Sequence, residues 1–162
     1  MKKNISKQEN MQFKYIIKEK CNTGFFSIMK DSSLLYSTQG EAFTILLGGD
    51  WRFELNVDYN TRKCINFQGV LTGNIQEKAL QIPPHYKGDL FFCYDNKLLI
   101  GLGCHYLSID NHAYYDSIQK ILCVGNPYSN GIAIEFTDKI IAVVCNNILA
   151  AIYLDLKDVY KE

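Results

Sequence analysis

The side chains best suited to acid-base chemistry are three histidines, His85, His105 and His112, and four carboxylates in turn-like stretches, Asp95, Asp110, Asp116 and Asp138. Their spacing builds no motif. A zinc site would want H-x-E, H-E-x-x-H or closely paired cysteines, and none of these patterns occurs. Cys104 and His105 are neighbours in the chain, so on a regular strand they point to opposite faces and cannot work as nucleophile and base. His112 and Asp116 stand at i and i+4, a spacing that joins them on a helical turn and is equally that of an ordinary loop contact. The hydrolase elbow G-x-S-x-G, the phosphate loop and the dinucleotide fingerprint are absent. Gly101-Leu102-Gly103 lacks the third glycine and a following helix, and it reads as a strand end or bulge. A glycosidase needs two carboxylates facing one cleft, whereas aspartates in turns commonly serve backbone geometry. The expectation is a protein that is not an enzyme and holds no metal or other cofactor.

Tyrosines give a stronger signal. Tyr106, Tyr114, Tyr115 and Tyr128 crowd the stretches that also carry His105, Asp110, His112 and Asp116. Tyrosine with neighbouring acids suits protein recognition, because it supplies a large contact area with few rotatable bonds. The alternative is packing over the open end of a β-sandwich. These eight residues form the expected partner-binding set.

The elements that must position them read as strands. Trp51-Arg52-Phe53-Glu54-Leu55-Asn56-Val57 alternates apolar and polar residues without fault, as a half-buried strand does, and the pattern resumes at Lys63 to Leu71 after a turn at 58 to 61. A second hairpin is expected to join 90 to 94 with 98 to 102 through Asp95-Asn96. In the last third, 118 to 125, 132 to 136, 140 to 145 and 148 to 154 are separated by turn-rich stretches. The last two are apolar on both faces and so belong in the centre of a sheet. Further strands are expected at 13 to 19, 24 to 29, 33 to 37 and 42 to 47. Ile75 to Leu80, stopped by Pro83-Pro84, has the composition for one or two helical turns, and 110 to 117 reads as helix or long loop. The predicted fold is all-β, an antiparallel β-sandwich or closed barrel of about ten strands with one or two short helical turns. It comprises a flexible segment, 1–12, and a single β domain, 13–162.

Composition agrees with one globular unit, since 48% of the 162 residues are hydrophobic and 11 Tyr and 9 Phe favour strands. Residues 1 to 20 hold six Lys and two Glu, which leaves 11 basic against 15 acidic residues in 21 to 162. That acidic body argues against direct nucleic-acid binding and suits a basic protein partner. Met1 to Asn10 carries charge but lacks the apolar run of a signal peptide, and Ile140 to Leu154 is too short and too broken to span a membrane. A cytoplasmic location follows as the expectation, with the six cysteines kept as free thiols.

The runs Lys87-Gly88-Asp89-Leu90-Phe91-Phe92, Gly101-Leu102-Gly103-Cys104-His105-Tyr106, Tyr115-Asp116, Ile121-Leu122-Cys123-Val124-Gly125 and Asn147-Ile148-Leu149-Ala150-Ala151-Ile152-Tyr153-Leu154 together resemble small bacterial immunity proteins of contact-dependent growth inhibition and related polymorphic toxin systems. The resemblance covers roughly 87 to 155. It implies a non-catalytic protein that binds a co-produced toxin domain, often a nuclease, and blocks it in the cytoplasm. Two other readings stay open: a β-barrel that binds a small apolar ligand, and an enzyme with a site around His105, His112 and Asp116.

Overall fold

The computed structural model describes residues 11–29, 33–37, 42–48, 52–71, 73–94 and 103–161. They form two sheets. The eight-stranded sheet holds β1 (Gln12–Ile17), β7 (Ile75–Glu77), β8 (Tyr86–Cys93), β10 (Ala113–Asp116), β11 (Ile121–Gly125), β12 (Ile132–Thr137), β13 (Ile140–Cys145) and β14 (Ile148–Asp155), in the order β1-β8-β12-β13-β14-β11-β10-β7. The seven-stranded sheet holds β2 (Phe25–Ile28), β3 (Ser33–Ser37), β4 (Ala42–Leu47), β5 (Phe53–Asp58), β6 (Cys64–Val70), β9 (Gly103–Tyr106) and β15 (Tyr160–Lys161), in the order β15-β2-β3-β6-β5-β4-β9. Neither closes on itself, so the all-β expectation holds as a sandwich and not as a barrel.

The alternation read around residue 55 is the burial pattern of β5, where Phe53, Leu55 and Val57 point inward. Between the sheets lies one apolar cluster that includes Phe13, Phe43, Phe67, Phe92, Tyr106 and Phe136, all at most 1% exposed. β13 and β14 are buried on both faces, as their continuous apolar runs require. Ile140, Ala142 and Val144 face the inner cluster, while Ile141 and Val143 join Ile121, Cys123, Ala133 and Tyr153 in a second cluster on the outer face of the same sheet. Leu80 and Ile82 lie over that outer cluster.

Several expectations are corrected. Ile75–Glu77 is not helical: it pairs in parallel with Ala113–Tyr115, and residues 78–85 run on without regular structure as a strap across the outer face. Six residues ahead of two prolines cannot repay helix nucleation, whereas pairing with β10 satisfies their backbone at once. No helix occurs among the described residues. The stretch 110–117 is a loop only as far as His112, after which β10 begins. The sheets are mixed and not purely antiparallel, with parallel pairs β7–β10, β8–β12, β2–β15 and β4–β9. Gln12, expected in a flexible segment, is the first residue of β1, and Met11 is buried. Trp51 and the predicted hairpin through Asp95-Asn96 lie outside the described residues.

Candidate functional site

On the outer face of the eight-stranded sheet the strap leaves an open cleft of about 530 Å³ beside the 126–131 turn. Its floor is Ala133, Val143 and Tyr153, with Pro83 and Pro84 on the strap side and Pro127 and Tyr128 opposite. Local bonds fix each wall. Asn126 Oδ1 accepts from the Tyr128 amide at 2.9 Å, and the buried Tyr153 hydroxyl donates to the Pro127 carbonyl at 3.1 Å. Burial pushes the Tyr153 phenol well above its ordinary value, so it stays a donor. On the strap, the Lys78 amide donates to the Tyr115 carbonyl at 3.1 Å and the Leu80 amide to Asp116 Oδ2 at 2.8 Å. At its far end His85 Nδ1 donates to the Pro83 carbonyl at 2.9 Å, and Nε2 lies 3.0 Å from Oε2 of the buried Glu135.

The eight residues expected to bind a partner divide. Tyr128 is 73% exposed and stands at the rim of the cleft, where the Lys78 ammonium meets its hydroxyl and lies 4.8 Å from its ring centroid. That hydrogen bond holds the Lys78 ammonium above its ordinary value. Tyr114, half-buried, pairs with Cys123 of the outer cluster and lies within electrostatic reach of Lys78. Asp110 and His112 stay in an exposed loop, where the carboxylate accepts from the His112 amide at 3.0 Å and from its ring Nδ1. These bonds hold Asp110 below the usual aspartate range.

Three of the other four serve the fold. Tyr106 is wholly buried; its hydroxyl accepts from the Leu149 amide at 3.0 Å and its ring meets Phe13 edge-on at 5.0 Å. Tyr115 packs against the inner cluster, one residue out of phase with Tyr114, as strand alternation dictates. Asp116 is 4% exposed and accepts from the amides of Gln119 (2.9 Å), Leu80 (2.8 Å) and Ile118 (3.0 Å), which hold its carboxyl below the usual range. His105 lies half-buried on β9, opposite Leu46 of β4 in the other sheet. Sequence reading missed Lys78, the two strap prolines and the His85–Glu135 clamp, because their meeting depends on a strap of which 78–80 reads as the end of a helical turn and 81–85 as no element.

Burial raises the thiols of Cys104, to about 11, and Cys123, to about 12, which leaves them protonated and poor nucleophiles. Asp110 and Asp116, held ionised by donors, make poor general acids. Among the described residues no group of three or more His, Cys, Asp or Glu is placed to hold a metal ion. No described helix is long and apolar enough to cross a membrane. The architecture is thus a two-sheet β-sandwich with a half-covered outer face. No family model and no curated protein matches the chain.

Proposed function

We propose that this protein is a non-catalytic immunity protein that neutralises a co-produced toxin domain, a nuclease being the favoured kind, by stoichiometric binding in the cytoplasm. The observation that carries the reading is Tyr128, 73% exposed at the rim of an open cleft with prolines on either wall, beside a Lys78 that Tyr114 also reaches electrostatically. An exposed tyrosine held by a turn and a lysine is an ordered anchor, and aromatic anchors beside a pocket dominate protein interfaces. The contact surface therefore centres on Tyr128, Tyr114 and Lys78, with Asp110 and His112 outside its core; Tyr106, Tyr115 and Asp116 act by holding the fold.

Binding kinetics with the toxin domain encoded beside this chain test it. Tyr128→Ala is expected to speed dissociation by about thirtyfold, the equivalent of roughly 2 kcal/mol, with little change in association. Asp110→Asn should instead slow association at low salt only, because a solvated charge acts on the approach. A wild-type chain that does not bind the neighbouring toxin would remove the immunity reading, and unchanged dissociation in Tyr128→Ala would move the interface off this cleft.

A further inference from the structure

A second pocket, of about 580 Å³, opens at the β1 margin of the eight-stranded sheet, the edge opposite β10 and β7. It is lined by Lys14, Tyr15 and Ile16 of β1, Phe91 and Phe92 of β8, and by Tyr94 and Arg62. Arg62 ends the β5–β6 turn, and its carbonyl accepts from the Phe92 amide at 2.9 Å, which ties this turn of one sheet to β8 of the other. The guanidinium lies 5.6 Å from the Phe43 ring centroid and 5.4 Å from that of Tyr59. Its Nη1 is shut off from water and has no hydrogen-bond partner among the described residues.

The charge here is unbalanced. Neither Arg62 nor Lys14 forms an ion pair with a described residue. The described carboxylates at hand are already engaged: Asp58 Oδ1 accepts from the amides of Asn60 and Thr61, and Asp89 is bound by Lys18 at 2.5 Å and Lys63 at 3.3 Å. The left-handed backbone of Arg62 is no sign of a site, since Lys120 adopts a similar φ in a like turn. What distinguishes Arg62 is a guanidinium steadied by two rings and with no counter-ion among the described residues, at the wall of a pocket whose other lining residues, Lys14 apart, are Tyr, Phe, Ile and Cys93.

We propose that this pocket binds a small organic monocarboxylate, with the carboxylate on Arg62 and Lys14 and an apolar body against Phe91, Tyr15 and Tyr94. A guanidinium N–H other than the shielded Nη1 can pair with a carboxylate, and aromatic walls of this volume suit a ligand of metabolite size. The apolar walls fit a monoanion with an apolar body better than a phosphate dianion, whose desolvation costs more. The inference is independent of the immunity reading, because it concerns the opposite edge of the sheet.

Octanoate, octanol and inorganic sulfate are the probes, titrated into the full chain by calorimetry and by amide shifts in NMR. Octanoate is expected to bind about tenfold or more tightly than octanol, to shift the Phe91 and Tyr94 amides, and sulfate is expected not to saturate. Arg62→Asn, which tolerates the left-handed backbone, should weaken octanoate by about tenfold and leave octanol unchanged. Lys14→Gln, at an exposed strand position, should weaken octanoate by roughly threefold with the fold intact, and it carries the test even where the Arg62 variant loses structure. Absence of octanoate binding, equal affinity for octanoate and octanol, saturable binding of sulfate, or octanoate affinity unchanged by Lys14→Gln and by a folded Arg62→Asn would each overturn the proposal.

Discussion

The two faces of the eight-stranded sheet, both apolar along β13 and β14, are covered in different ways. Its inner face meets a whole second sheet, so Phe13, Phe92, Ile134 and Leu154 are each 0% exposed and locked among other rings and strands. Its outer face is covered in part by an eight-residue strap, residues 78–85, which contributes Leu80 and Ile82 and is held by a few bonds near its ends. Burial by a sheet fills space. Burial by a strap leaves a margin, and the cleft with Tyr128 is that margin. The same apolar run can therefore build a core on one side of a strand and a contact surface on the other.

The contrast breaks most visibly under truncation. Phe92→Ala should cost about 3–5 kcal/mol in chemical denaturation, because the inner face cannot collapse around the missing ring. A loss under about 1 kcal/mol would mean that the interior is as loosely covered as the outside. Tyr106→Phe comes next: the ring stays, but the buried Leu149 amide loses its acceptor, an omission worth about 1–3 kcal/mol. Leu80→Ala should cost about 1 kcal/mol or less globally, since this side chain is only half-buried, while hydrogen exchange at the Lys78 and Leu80 amides rises sharply. Uniform loss of protection across β13 and β14 in that variant would show the strap to be part of the cooperative core.

How far the sequence was legible follows from the same contrast. β5 was plain because its two faces differ, and β13 and β14 were plain because an unbroken apolar run of six or seven residues between turns leaves little choice. The Asn146-Asn147 turn was equally visible, and both residues take the left-handed backbone that asparagine tolerates. The strap was not legible. Ile75 to Leu80 has helical composition, and only the distant β10, which offers the Tyr115 carbonyl and the Asp116 carboxylate, makes an extended path better. For the site, Tyr114 and Tyr115 were indistinguishable as residue types, yet alternation sends one outward and one into the core once the strand is known. Asp116 looked like a contact residue because a carboxylate that caps a turn has the same local sequence as one that greets a partner.

Asp116 provides the smallest and most local test of the contrast. Its Oδ1 caps the turn after β10 through Gln119 and Ile118, and its Oδ2 holds the strap through Leu80, so one carboxylate serves both the sheet and its cover. Those donors favour the ionised form, which places its folded pKa below the unfolded value. The stabilisation is therefore complete above the usual aspartate range and is lost as pH falls through the lower, folded value. Near neutrality nothing should change. In acid, the amide resonances of Gln119, Leu80 and Ile118 should titrate together, with one midpoint below that of an unstructured aspartate, before the amides of β13 respond. Asp116→Asn should abolish that titration and, at neutral pH, loosen the Leu80 amide without moving the global unfolding midpoint by more than a small fraction of the Phe92→Ala effect. A shared midpoint at or above the usual aspartate range would show that these three bonds do not hold the carboxylate, and the strap would then need another anchor at its β10 end.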